Sequence, residues 1–185
     1  MPPKLVLEEA GDAIFKEVSV DEAASKILDG KLQVVDVRDD GEYSSGHIKG
    51  SKHVPWEDLV EGEKADANVS KLLDQLKADG TDHVLIVCMY SSGRGPTVAQ
   101  RLTSFAEAHN MALDVCILDG GFHGFVNKAR GGGTDSKVAC DLLEGYKPEH
   151  WCETPNRGLV TANAVDAMKE LEVDPVPEDG TANDC

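Results

Sequence analysis

Apolar positions along the chain fall into two alternating patterns. Three short runs, Gln33-Val-Val-Asp-Val37, His83-Val-Leu-Ile-Val-Cys88 and Asp114-Val-Cys-Ile-Leu118, have the length and β-branched content of strands covered on both faces. Amphipathic stretches lie between them. Ser19-Val-Asp-Glu22 has the form of a capping box and leads into Val20, Ala23, Ala24, Ile27 and Leu28 at helical spacing, ending at Gly30. Asn68 is expected to cap a second helix carrying Val69, Leu72, Leu73 and Leu76, with Gly80 beyond it. Val98, Ala99, Leu102, Phe105 and Ala106 mark a third helix, and Gly120-Gly121 opens a fourth containing Phe122, Phe125 and Val126. Strands separated by helices require crossover connections. The pattern therefore predicts an α/β fold with a mainly parallel sheet and helices on both faces. Ligands of such sheets bind beyond the carboxyl ends of the strands. Cys88 and Asp36 stand at two such ends.

Beyond Arg130 the pattern weakens. Gly131-Gly-Gly133 breaks it, residues 135–144 and 162–171 each carry a helical stripe, and Val173 to Cys185 is acidic and poor in large aliphatics. The expected organisation is a catalytic domain over 1–150, an extension with a helix over 151–172, and a disordered acidic tail over 173–185.

Composition narrows the function classes. The 185 residues suit one domain, with 41% hydrophobic and 28% charged residues. No run is long enough to span a membrane, no secretory signal is visible, and five cysteines are too few and too scattered for a disulfide framework. Cytoplasm or nucleus is the expected compartment. A net charge of −16 argues against nucleic acid and acidic membranes as partners. Any anion pocket must be a local exception to that charge.

One loop offers such an exception. Cys88-Met-Tyr-Ser-Ser-Gly-Arg94-Gly-Pro96 runs from a strand end straight into a helix N-terminus. The amides of Met89, Tyr90, Ser91, Ser92, Gly93 and Arg94 are expected to turn inward as an anion nest, backed by the helix dipole and by the Arg94 guanidinium. The same field stabilises negative sulfur, so Cys88 is the candidate nucleophile and Arg94 the candidate oxyanion clamp. Ser91 and Ser92 are candidates for bonding the sulfur or assisting a leaving group.

Val35-Asp36-Val37-Arg38, then Glu42-Tyr43, Gly46-His47-Ile48, Gly50 and His53-Val54-Pro55, resemble the N-terminal hallmark of rhodanese-like domains. Leu118-Asp-Gly-Gly121-Phe122-His-Gly124-Phe125 resembles their later Gly-Gly-Phe element. The Cys88 loop resembles that of the cell-division-cycle dual-specificity phosphatases and the related eukaryotic arsenate reductases, matching at Cys88, Tyr90, Ser91, Ser92, Arg94, Gly95 and Pro96. The resemblance covers roughly residues 14 to 130. It implies a rhodanese-like fold with a five-stranded central sheet, and a loop of Cys, five residues and Arg, one residue longer than sulfurtransferases have. It also implies that Asp36 and Arg38 support the site, with Asp36 bracing the loop or its arginine. Two positions depart from the family: Val87 stands where a His is usual, and Gly93 where the cell-cycle phosphatases have Glu. No residue declares itself as a general acid; Asp36, Asp119 and His123 lie near strand ends.

The expected activity is a cysteine-dependent phosphatase forming a phosphocysteine, acting on a phosphorylated protein of the tyrosine or dual-specificity type. The alternatives are arsenate reduction on the same loop with a glutathione or glutaredoxin thiol, thiosulfate sulfurtransfer, and a non-catalytic binding module. The substrate is a phosphoprotein or a small oxyanion. His47 is expected to bond backbone, and Tyr43 and Trp56 to pack in the core. In the rhodanese strand order the strand of Cys116 neighbours that of Cys88, which makes a resolving disulfide between them a hypothesis beside that of a buried thiol. A zinc site from Cys140, His150 and Cys152, with His123 or Cys116, lacks a Cys-x2-Cys knuckle, so no cofactor or metal is expected.

Overall fold

A computed structural model of the chain describes residues 15–131, 136–154 and 157–162. Residues 163–171 of the expected 162–171 helix and the acidic 173–185 tail lie outside the described residues. The elements in chain order are β1 (Lys16–Val18), α1 (Val20–Leu28), β2 (Gln33–Asp36), α2 (Asp40–Ser44), β3 (His47–Ile48), β4 (Lys52–His53), α3 (Trp56–Val60), α4 (Ala65–Ala78), β5 (His83–Val87), α5 (Arg94–Ala108), β6 (Asp114–Leu118), α6 (Gly121–Arg130), α7 (Ser136–Leu142), β7 (Leu143–Glu144), a 3-10 turn (Pro148–His150), β8 (Trp151–Thr154) and β9 (Gly158–Thr161).

The central sheet has five strands in the order β1-β6-β5-β2-β4, and every pairing is parallel. Side chains alternate across β5 and β6, so each strand feeds two cores. Leu85, Val87, Cys116 and Leu118 face α1, α6 and α7 through Ala23, Phe122, Phe125, Val126, Ala139 and Leu142. Val84, Ile86, Cys88, Val115 and Ile117 face α3, α4 and α5 through Leu59, Val69, Leu72, Leu76, Val98 and Leu102. Burying each large aliphatic stabilises the fold by about 1.5–3 kcal/mol, so neither face is dispensable. Pairing of Asp36 with Val87 aligns the ends of β2 and β5. It brings Asp36 and Cys88 to one edge, with β5 in the middle of the sheet.

Several local expectations change. Helix α4 starts at Ala65, preceded by Lys64, and Asn68 instead donates its amide to the Asp58 carbonyl at 2.8 Å. The helical stripe over 135–144 forms α7 but gives way to a strand at Leu143, because β7 pairs antiparallel with β3. Where the 151–172 extension is described, Trp151–Thr154 and Gly158–Thr161 pair antiparallel as the β8–β9 hairpin. Trp151 is buried in the first core, its ring 5.9 Å from that of Phe122. Asn127 of α6 holds the other strand, accepting from the Leu159 N–H at 2.7 Å and donating to its carbonyl at 3.0 Å.

Candidate active site

Cys88 follows the last residue of the central strand and is only 2% exposed. Two elements fix its position. The N–H groups of Phe122 and His123, in the first turn of α6, donate to the carbonyls of Cys88 and Met89 at 2.8 and 3.0 Å. The start of α5 lies directly on the sulfur: a Cβ added to Gly95 would stand 3.1 Å from Cys88 Sγ. The Gly93 that precedes α5 supplies no side-chain cap, so the first-turn N–H groups of this helix receive none.

Not all six expected amides converge on the sulfur. The Ser91 N–H donates to Cys88 Sγ at 3.2 Å, and Ser91 takes the left-handed conformation, φ 58°, in doing so. Its hydroxyl donates to the Leu118 carbonyl. That bond ties the loop to the end of β6 and turns the hydroxyl away from the leaving-group role expected of it. Met89 is buried in the first core. Ser92 and Gly93 are exposed. Tyr90 is 43% exposed, with its ring 5.2 Å from that of His123. Partial burial pushes the Tyr90 phenol up, opposed by the charge of Arg157 at the hairpin tip. His123 Nε2 lies 2.8 Å from the Arg157 carbonyl, which places Arg157 beside α6 near the rim of the loop.

Arg94, the last residue of the loop and the first of α5, turns its guanidinium end to Glu42 of α2. Its Nη1 donates to Glu42 Oε2 at 2.6 Å and its Nη2 to Glu42 Oε1 at 2.8 Å. Hydrogen bonding to Glu42 raises Arg94 above the ordinary arginine range. Glu42 also completes a capping box: its N–H donates to Asp39 Oδ1 at 2.8 Å, and the Asp39 N–H donates to Glu42 Oε2 at 3.2 Å.

The Asp36 carboxylate hydrogen-bonds Arg38 rather than Arg94, so its link to Arg94 runs through Arg38 and Glu42. Asp36 and Arg38 are both fully buried. Arg38 Nε donates to Asp36 Oδ1 at 2.9 Å and Nη2 to Asp36 Oδ2 at 2.7 Å. The remaining N–H groups of Arg38 reach the carbonyls of Glu42 at 3.1 Å and Gly46 at 2.8 Å. The guanidinium also lies 3.7 Å from the centre of the Phe122 ring. Its desolvation is thus offset by a bidentate partner, two carbonyls and a ring face.

Glu42 is the contributor that sequence reasoning passed over. The Asp39-x-x-Glu42 spacing announces its capping role, but nothing announces a partner 52 residues away. Other expected residues lie further out. Asp119 is exposed. His47 Nδ1 stands 3.3 Å from the Tyr43 carbonyl. Tyr43 is sandwiched between the rings of His47 and His53 at 4.1 and 4.0 Å, while Trp56 packs against the second core. Cys116 pairs with Leu85 rather than with a residue next to Cys88, and it faces the other core. Its thiol donates to the Val84 carbonyl at 3.3 Å, and burial pushes it up to about 11. That geometry does not permit an 88–116 disulfide. Among the described residues no group of three or more His, Cys, Asp or Glu is placed to hold a metal ion; His150 Nδ1 lies 2.7 Å from the Ser45 hydroxyl. No helix among them is long and apolar enough to cross a membrane.

The parallel sheet, with a cysteine at its central carboxyl end and an arginine six positions on, defines a class. Residues 19–128 match the family described as Rhodanese-like domain, and the chain belongs to that family. It is 30% identical over 97 residues to the dual specificity phosphatase Cdc25 of Arabidopsis thaliana, covering 51% of this chain and 61% of that protein. It is 27% identical over 111 residues to arsenate reductase 2.2 of Oryza sativa subsp. japonica, covering 58% of this chain and 79% of the relative. A solved structure of Saccharomyces cerevisiae Ygr203w, described as a homolog of single-domain rhodanese and the Cdc25 phosphatase catalytic domain, superposes with a TM-score of 0.58. That pair is 27% identical, over 74% of this chain and 91% of the other.

Proposed function

We propose that this protein is a cysteine-dependent phosphatase working through a phosphocysteine, with aryl phosphates such as protein phosphotyrosine as its substrate class. The observation that carries the reading is the seat of Cys88 Sγ. It lies under the first turn of α5, takes the Ser91 N–H at 3.2 Å, and belongs to a loop that ends at Arg94. The Cys88 thiolate attacks phosphorus, the S–P bond forms as the P–O bond breaks, and the phenolate leaves. Water then attacks phosphorus, returning the electron pair to sulfur and releasing inorganic phosphate. Arg94 and the loop amides stabilise charge on the equatorial oxygens. With glycine rather than a carboxylic acid at position 93, departure falls to the leaving group itself, which favours phenols over alkyl alcohols. The relative named as a dual specificity phosphatase supports the same reading.

A second reading has its own support in the relative named arsenate reductase. Arsenate would add to Cys88 with loss of hydroxide. A thiol such as glutathione, or the thiol of glutaredoxin, would then attack Cys88 sulfur. Arsenic takes the S–As electron pair and leaves as arsenite, and a mixed disulfide remains.

The test is a side-by-side panel of wild type and Cys88→Ser on p-nitrophenyl phosphate, on arsenate with glutathione and glutaredoxin, and on thiosulfate with cyanide. Vanadate-sensitive aryl phosphate turnover, lost in the variant, is the expected result. Turnover of arsenate alone selects the second reading, and of thiosulfate alone selects sulfurtransfer. Inactivity across the panel leaves a binding module.

A further inference from the structure

We propose that Glu42 is the positioning residue of Arg94, fixing one edge of its guanidinium so that the other edge is presented to the bound oxyanion. This rests on the reading of the Cys88 loop as an oxyanion site. A guanidinium carries five N–H groups in one plane, arranged as two forks: the end fork between Nη1 and Nη2, and the side fork of Nε with the outer N–H of Nη2. Glu42 takes the end fork with both carboxylate oxygens, at 2.6 and 2.8 Å. Among the described residues Arg94 Nε has no hydrogen-bond partner, so the side fork is the pair left for a ligand.

The support behind Glu42 continues into the core. Its carboxylate is held by the Asp39 N–H at 3.2 Å and its carbonyl by Arg38 Nη1 at 3.1 Å. Arg38 is itself clamped by Asp36 and Phe122. Arg94 and Glu42 are 26% and 22% exposed, partly shielded from water. A free arginine side chain must lose rotamer freedom to grip a ligand; this one has already lost it to Glu42. The Glu42 carboxylate offsets part of the guanidinium's attraction for an anion, so what Glu42 contributes is direction rather than charge. It matters most where the acceptor oxygens are spread in the equatorial plane of the transition state.

The experiment uses vanadate, which forms a trigonal-bipyramidal adduct on a thiolate. Its ability to protect Cys88 from iodoacetamide is measured in wild type, Glu42→Gln, Arg94→Met and the double variant. Glutamine also serves in a capping box, so α2 is retained and the thermal midpoint serves as the folding check. Glu42→Gln should loosen vanadate about tenfold, and the same change in the Arg94→Met background should have no effect, because coupled residues are non-additive. Aryl phosphate or arsenate turnover is followed in parallel. Unchanged vanadate protection in Glu42→Gln would overturn the proposal, as would an equal loss in the Arg94→Met background. Vanadate protection that depends on Glu42 in a wild type without turnover would sink the enzymatic reading and leave the positioning role standing. Absence of vanadate protection in the wild type would sink both.

Discussion

Gly121 and Cys88 are in backbone contact: a Cβ placed on Gly121 would lie 2.5 Å from the Cys88 carbonyl oxygen. The residue also takes φ 61°, in the left-handed region. Gly121→Ala therefore meets a steric clash and an unfavourable conformation together, each costing about 1–3 kcal/mol. Urea unfolding should show a loss of about 3 kcal/mol, and Cys88 alkylation should quicken as the loop is pushed from α6. An alanine variant of wild-type stability and alkylation rate would contradict this.

Arg38→Leu leaves the Asp36 carboxylate buried without its partner and frees the carbonyls of Glu42 and Gly46. Breaking a buried pair from one side costs about 3–5 kcal/mol. Chemical denaturation should show a loss of that order, with part of it recovered when Asp36→Leu is added. Equal stability of the single and double variants would disprove the pairing argument.

Cys116 makes stability depend on alkaline pH. Its thiol ionises at about 11 in the folded protein, against an ordinary value of 9.0. The unfolded chain loses this proton first. The stabilisation is therefore intact below pH 9 and is lost as pH rises toward 11, at a slope of up to about 1.4 kcal/mol per pH unit. Cys116→Ala should flatten the wild-type decline over that window. Parallel curves for the two proteins would refute it.

Asn127→Ala removes the clamp on β9. Three bonds go at once, to the Leu159 N–H, the Leu159 carbonyl and the His123 carbonyl. The hairpin should open more readily, by about 1–3 kcal/mol. Hydrogen exchange should quicken at Leu159 and Val160 while β5 and β6 stay protected. Uniform change across the chain would point to global destabilisation instead.

Much of the frame was legible because it rests on short-range pattern. β5 and β6 are apolar after their first residue, β2 has an apolar centre, and α1, α5 and α6 each bury one stripe. What escaped has no such pattern. β1 buries only Val18, β3 and β4 have two residues each, and α2 buries none of its five. The β8–β9 hairpin buries Trp151 and Val160 only, too few for alternation to register. At the site, Cys88, Arg94 and Asp36 stand out by residue type and place. The redirection of Ser91, the pairing of Asp36 with Arg38 rather than Arg94, and the grip of Glu42 on Arg94 depend on which loops meet after folding.

Arg38 is fastened at once to the end of β2 and to the segment carrying Glu42. The buried ion pair and the segment that bears the partner of Arg94 thus share one guanidinium. A change at position 38 is therefore expected to disturb both together, leaving an engineer few substitutions that alter one alone.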